Sequence, residues 1–359
     1  MKLEDLGWDG VFMAHFERFH EEGLAPGRIA REERDLYGVY WQGGEVMAEV
    51  SGKMRHDAGS RSDLPAVGDW VAMHVRPGEG RGTIHAVLPR KSSFSRKEAG
   101  VHTEEQIAAA NIDTVFLVTG LDRDFNLRRI ERYLTLVWDC GASPVIVLNK
   151  ADLCADVAAR VEQVEAIAFG VPIHAVSAVT GGGVEALRLR LSRGKTAALL
   201  GSSGVGKSTL INALLGAERQ AVRDVRASDG RGRHTTTRRE LILLPGGGAL
   251  IDNPGMRELQ MWTDEDGLSG TFADVEEIAA QCRFRNCKHQ SEPGCAVRQA
   301  IAAGALDAGR LRGYQKLQRE LRHLERKQSE KARLAEKAKW KKIAQQARKT
   351  NKYGTEARY

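Results

Sequence analysis

No apolar run in this sequence approaches the roughly 18 residues of a membrane-crossing helix, and its first residues show no secretory leader. Cysteine is scarce: five in 359 residues, an odd number with no C-x-x-C pair. This argues against a disulfide framework and a redox dithiol, and the expectation is a soluble, cytoplasmic protein. There is no internal repeat, which excludes solenoid architectures. What is present is length for two or three domains and enough hydrophobic content, 42%, to bury a core. Three of the five cysteines fall between Cys282 and Cys295, which points to a metal site. Cys140 and Cys154 read as ordinary free thiols.

The net charge of +7 is unevenly spread. Residues 310–359 hold 17 Lys and Arg against 5 Asp and Glu, a net +12 in 50 residues. The other 309 residues hold 37 basic and 42 acidic groups, so acids are in excess there. Basicity is thus a property of the tail. A polyanion partner follows, nucleic acid ahead of an anionic membrane, unless the tail is only a solvated helix.

Texture divides the chain further. Residues 1–30 read as an N-terminal helical extension, "WDGVFMAHFERFHEE", closed by a turn at Pro26–Gly27. Over 31–100, short β-like runs ("LYGVYW", "EVMAEVSG", "GDWVAMHV", "RGTIHAVLP") alternate with Gly, Pro and Asp turns. Val71, Met73 and Val75 share one face at period two. Four or five short strands in that span predict a small barrel, an OB-fold in particular, a scaffold that often binds oligonucleotides. Trp41, Trp70 and Phe94 have two readings there, stacking platforms for bases or core. Over 101–261, near-continuous apolar strands alternate with amphipathic helices, the pattern of a parallel α/β sheet covered on both faces. Residues 262–309 hold the Cys/His cluster in a short, mostly helical segment, and 310–359 form the basic helical tail.

Gly201-Ser202-Ser203-Gly204-Val205-Gly206-Lys207-Ser208 fits G-x-x-x-x-G-K-[ST], with the strand "KTAALL" before it and a helix beginning at Ser208-Thr209 after it. Its glycines let backbone N–H groups curl around phosphate oxygens, and the helix N-terminus adds its positive end. Lys207 is assigned to the β- and γ-phosphates and Ser208 to Mg²⁺. The base comes from elsewhere. Asn149-Lys150-Ala151-Asp152 closes the apolar strand "PVIVLNK" at the edge where such sheets bind ligands. Asp152 would accept from guanine N1–H and the 2-amino group, a pair that adenine lacks. Asn149 would face the opposite edge of the base and the Lys150 stem its face. "VSA" ends the next strand at Ser177-Ala178, placing an N–H of Ala178 near guanine O6.

Past the loop, "DNPG" (Asp252 to Gly255) follows the strand "GALI". Asp252 suits Mg²⁺ through water, and the Gly255 N–H suits the γ-phosphate. Between them lies "GRGRHTTT"; Thr236 is the candidate Mg²⁺ ligand of the GTP state, although Thr235–Thr237 also suits an edge strand. Where Ras-like enzymes carry a water-positioning glutamine after D-x-x-G, this chain has Met256, which cannot orient water. His234 is the candidate catalytic substitute, its other reading being an exposed loop histidine. Finally, Cys282-x4-Cys287-x-His289-x5-Cys295 supplies three thiolates and an imidazole within 14 residues, a full tetrahedral set for one structural Zn²⁺.

The base reader at 149–152, the pair 177–178, the phosphate loop at 201–208, the threonines at 235–237 and DNPG at 252–255 run in a cyclically shifted order. With a barrel before them and a Cys/His cluster after, the chain resembles the small-ribosomal-subunit-dependent, circularly permuted GTPase A family (RsgA/YjeQ), over residues 30–310. The resemblance implies an N-terminal OB-fold β-barrel, a central circularly permuted P-loop GTPase α/β domain and a C-terminal zinc-binding, mostly helical domain. It also implies Mg²⁺ with GTP, one structural Zn²⁺, and a monomer with no membrane partner that binds the 30S subunit and 16S rRNA. GTP hydrolysis would be stimulated by that particle. The alternative is an RNA-binding structural module that holds GTP without turning it over.

Overall fold

The structure, a computed structural model, describes residues 1–33, 36–97, 105–216, 239–252, 265–322 and 326. Two units emerge, residues 1–260 with 266–273, and residues 261–265 with 274–359. His234, Thr235–Thr237, Gly255 and Met256 lie outside the described residues.

The first unit opens with a 3-10 turn, Leu3–Leu6, and α1 (Gly10–Glu21), the latter capped by the Asp9 carboxylate, which accepts from the Val11 and Phe12 N–H groups at 3.0 and 3.3 Å. Five strands follow: β1 (Ala25–Glu33), β2 (Leu36–Trp41), β3 (Gly44–Val50), then, after α2 (Gly52–Asp57), β4 (Trp70–Arg76) and β5 (Arg81–Val87). They pair in the order β1-β2-β3-β5-β4, and β4 returns to β1, with β3 and β5 parallel. This closed five-stranded barrel is the expected OB topology. Its strand β1, however, occupies the expected Pro26–Gly27 turn. Pro26 is the second residue of the strand, where a missing N–H is tolerated. Gly27 is required by packing, because a Cβ there would meet Val39 Cγ1 at 2.6 Å and Met73 Cε at 2.7 Å. Ile29, Val39, Val71 and Met73 fill the interior.

The outer face of β4 is buried as well. Trp70 and Ala72 pack with Leu6 and with Phe12, Phe16 and Phe19, which recur on the helical spacing of α1. Trp70 and Phe94 are both 0% exposed, so they are core and cannot stack on bases; Trp41 is half-buried. Arg28, on β1, is 2% exposed and pins this region together. Its guanidinium donates to the carbonyls of Leu6, Gly68 (3.2 Å) and Asn111 (3.0 Å). Burial pulls its pKa down to about 10, against the pull of Asp113 and Asp69.

A two-stranded sheet, β6 (Ser93–Lys97) with β7 (Glu105–Ala110), leads to the α/β region. There follow β8 (Thr114–Gly120), α3 (Leu127–Asp139), β9 (Ser143–Asn149), α4 (Val157–Glu165), β10 (Ile173–Ala175), α5 (Val184–Arg190), β11 (Thr196–Leu200), α6 (Lys207–Leu215), β12 (Glu240–Leu243) and β13 (Ala249–Asp252). The strand order is β10-β9-β8-β11-β13-β12. All neighbours are parallel except β12 with β13. Registers Gly120↔Asn149, Leu200↔Leu117 and Ala198↔Ile251 align the carboxyl ends of β8, β9, β11 and β13 along one edge.

α7 (Glu265–Ala279) leaves helical geometry at Phe272 (φ −119°, ψ 33°), beside the division between the units. The second unit continues with the Cys/His loop, α8 (Ala296–Ala302) and a helical stretch over 308–322. Arg310 is 3% exposed and grips Asp274 with two hydrogen bonds of 2.6 and 2.8 Å. Leu311, Leu317 and Leu321 are buried too. The change in charge at residue 310 therefore falls inside a packed helix, whose first turns are structural rather than tail-like.

Candidate nucleotide and metal sites

The phosphate loop joins β11 to α6. Gly204 and Gly206 take φ of +78° and +94°, a left-handed backbone that only glycine adopts without strain. Gly206 has a second reason to be glycine, because a Cβ there would run into Asn149 Nδ2. Lys207 curls back over its own loop and donates to the Gly201 and Ser202 carbonyls at 2.7 and 2.6 Å. Ser208 and Thr209 lie half-buried in the first turn of α6.

Asn149 joins the separated motifs. The residue is 2% exposed. Its Nδ2 donates to the Val205 carbonyl of the phosphate loop at 2.8 Å, and its Oδ1 accepts the Ala178 N–H at 3.1 Å. Three stretches more than 20 residues apart in sequence thus meet on one side chain. These bonds use one donor and one acceptor of the amide and leave its second N–H and lone pair for other partners. A buried amide has to find protein partners, and here it spends both ends on the neighbouring loops. Ser177, also buried, accepts the Thr180 N–H at 3.2 Å and shapes the turn after β10. Lys150 adopts φ +64°, and its amine reaches Gly204 O and Asp122 Oδ2, both at 2.7 Å. Asp152 sits exposed on the 3-10 turn Ala151–Leu153, free to face a ligand from solvent.

Asp252 ends β13 at the same edge of the sheet. The Ser208 hydroxyl and the Asp252 carboxylate are hard oxygen donors of the kind Mg²⁺ prefers. The residues present therefore fit a nucleotide-bound magnesium ion. A separate cavity of about 200 Å³ beside Arg28 and Trp70 carries none of these motifs. Its other cations are already paired, Lys91 with Asp9, Arg193 with Asp5 and Lys195 with Asp113.

In the second unit, Cys282, Cys287, His289 and Cys295 bring their ligand atoms within 4.8 Å of one another. His289 Nδ1 lies 3.6 Å from Cys282 Sγ and 3.5 Å from Cys295 Sγ, and those sulfurs are 4.0 Å apart. With Zn–S near 2.3 Å and Zn–N near 2.0 Å, the edges of a zinc tetrahedron are about 3.5–3.8 Å. The cluster fits zinc. Sequence reasoning passed over Glu292. Its carboxylate accepts the N–H groups of Lys288 (2.9 Å), Gln290 (2.9 Å) and Ser291 (3.0 Å), which hold it down at about 2. The only signal in the sequence was an acid three residues after the candidate ligand His289.

A family model described as RsgA GTPase matches residues 87–262, and one described as 50S ribosome-binding GTPase matches residues 196–335. The small ribosomal subunit biogenesis GTPase RsgA of Opitutus terrae is 49% identical over 354 residues, covering 96% of each chain. The chain belongs to the RsgA GTPase family. Among solved structures, YjeQ from Thermotoga maritima is 29% identical with a TM-score of 0.62, over 83% of this chain and 98% of that one. YloQ, described as a circularly permuted GTPase, is 23% identical with a TM-score of 0.60, over 84% and 96%, and shares the fold. The cyclic order of motifs in this RsgA-family chain is therefore a true permutation of the GTPase domain. The closed barrel before it and the Cys/His cluster after it complete the expected fold class. Among the described residues, no helix is long and apolar enough to cross a membrane.

Proposed function

We propose that this chain hydrolyses GTP as a factor in the maturation of the small ribosomal subunit, and that the particle stimulates its turnover. The observation that carries the reading is the Asn149 side chain, which ties the base-reading strand end to the phosphate loop and to the loop of Ala178. Full-length relatives named for small-subunit biogenesis support the choice of subunit. The family model named for the 50S particle spans only residues 196–335, which leave out the barrel and the base-reading strand end at Asn149 to Asp152.

In this reading Asp152 selects guanine, and Lys150 lies along its face. The N–H groups of residues 201–206 and the Lys207 amine take the phosphates, with Lys207 leaving the carbonyls of Gly201 and Ser202 to do so. Ser208, Thr209, Asp252, Thr236 and Gly255 complete the phosphate end. Bound Mg²⁺ would neutralise charge that builds on the phosphate oxygens. Water attacks the γ-phosphorus, the bond to the bridging β–γ oxygen breaks, and GDP and phosphate leave. Met256 cannot orient that water, so His234 is assigned the task, and slow turnover without the particle follows. The 30S subunit and its 16S rRNA are the partners, met by a monomer in the cytoplasm. Residues 327–359, with 11 Lys and Arg against 3 Asp and Glu, add salt-dependent affinity for RNA without base choice.

The test is GTP turnover with and without purified 30S particles, beside an Asp152→Asn variant. The particle should accelerate the wild-type chain by at least tenfold, and Asp152→Asn should shift preference toward xanthosine triphosphate. A rate indifferent to the particle would instead fit an RNA-binding module that merely holds GTP.

A further inference from the structure

The loop after β8, "LDRDFN" at 121–126, carries no nucleotide motif, yet it reaches the phosphate loop twice, once directly and once through Lys150. Asp122 reaches it through Lys150: Asp122 Oδ2 accepts from Nζ at 2.7 Å, and the same Nζ donates to Gly204 O at 2.7 Å. Asp124 reaches it directly. The Ser202 hydroxyl donates to Asp124 Oδ2 at 2.6 Å and accepts from Arg129 Nη1 at 2.6 Å, while Arg129 also pairs with Asp124. Gly204 and Ser202 flank Ser203, so the two carboxylates act on the first half of the loop, one of them through Lys150.

Local geometry holds Asp122 in place. Its Oδ1 accepts the Asp124 N–H at 3.0 Å. It also lies where a Cβ on Gly120 would sit, 2.7 Å away, so the strand has to end in glycine for the carboxylate to fold back. The Asp122 and Lys150 side chains are 31% and 22% exposed, so solvent screens the pair only in part. Lys150 is thereby held by an anion on one side and a carbonyl on the other. A lysine on a left-handed residue at a strand end would otherwise sample many rotamers.

We propose that Asp122 is a positioning residue for the nucleotide, acting through Lys150 to tie the base-reading strand end to the phosphate loop. The inference rests on the reading of Lys150 as part of the nucleotide site. It concerns retention of the ligand: with the tie made, the base-reading and phosphate-binding halves open together or not at all.

The experiment is stopped-flow release of a fluorescent GDP analogue from the full chain, for Asp122→Ala, Asp122→Asn, Lys150→Ala and the double alanine variant, with melting temperature measured alongside. Asp122→Ala should speed release about tenfold, the loss of one charge-assisted hydrogen bond. Asp122→Asn, which keeps an acceptor, should fall between it and wild type. The double variant should release no faster than about twice the faster single variant, because both changes cut the same tie. The Ser202–Asp124–Arg129 anchor keeps the loop folded, so melting should move little, and in turnover the effect should fall on KM more than on kcat. If Lys150→Ala leaves release unchanged, the site reading itself fails. If Lys150→Ala speeds release and Asp122→Ala does not, only the inference is overturned. Rates that multiply toward a hundredfold in the double variant also overturn it, as does faster release accompanied by a matching collapse of melting temperature.

Discussion

At the scale of single residues, the site is held by positions that admit one side chain or none. Gly206 combines φ +94° with a Cβ position that Asn149 Nδ2 already fills. Gly206→Ala should cost about 1–2 kcal/mol in backbone strain alone. It should also push Asn149 off the Val205 carbonyl, loosening the Ala178 loop with it. Titration with a fluorescent GDP analogue is expected to show at least a tenfold loss of affinity. Glu292 plays the corresponding part in the Cys/His loop. It gathers three N–H groups that bracket His289, itself held at φ +58°, a conformation non-glycine residues rarely keep without support. Glu292→Ala should weaken zinc binding by about 10–100-fold, the usual effect of losing a group that orients a ligand. Glu292→Gln, still an acceptor, should lose less. Competition with a chromogenic chelator measures both, and a Glu292→Ala chain that holds zinc as tightly as wild type would refute the assignment.

At the scale of elements, the seam between barrel and α/β sheet depends on β1. Arg28 on that strand caps carbonyls from the N-terminal segment, the loop before β4 and the residue after β7. Arg28→Ala would leave those acceptors buried and unpaired, a loss of about 2–4 kcal/mol. The expected readout is a lower urea midpoint with little change in the slope of the unfolding transition. Lysine should not rescue, since one ammonium cannot span three carbonyls in the plane of a guanidinium. This strand was also the least legible part of the sequence. β2 to β5 announce themselves by alternation, and the phosphate loop, the NKAD strand end and the Cys/His set by fixed spacing. β1 has Pro26–Gly27 near its start, which locally signals a turn, and what makes it a strand is pairing with β2 and β4. Arg28 bonds residues 40 and 83 positions away, and Asn149 bonds others 56 and 29 away. No window of sequence contains such partners. The motif residues of the site could be read, whereas the ties between them could not.

At the scale of the whole molecule, the two units differ in what holds them. The first has a filled barrel, an aromatic layer outside it and a continuous core in the α/β sheet. In the second, the described core is short: Val275, Cys295, Val297, Leu306, Leu311, Leu317 and Leu321. A core that small rarely suffices without a staple, and metal binding supplies folding energy directly when the site does not exist in the unfolded chain. With Cys282, Cys287, His289 and Cys295 read as zinc ligands, stripping the metal from the intact protein with a strong chelator under reducing conditions should therefore act on one unit. Hydrogen exchange is expected to lose protection most over 282–295, where the backbone is organised by the ligands, Glu292 and a few turn hydrogen bonds such as Arg283 N–H to the Gly294 carbonyl at 3.1 Å. It should be lost less over 308–322, where Arg310 on Asp274 and Tyr314 on Glu276 persist without metal. Residues 105–216 should exchange as before, because their protection reflects opening of their own core. Added zinc should restore the pattern. Unchanged exchange over 282–295 after verified loss of metal would mean that the four ligands bind an ion the fold does not need.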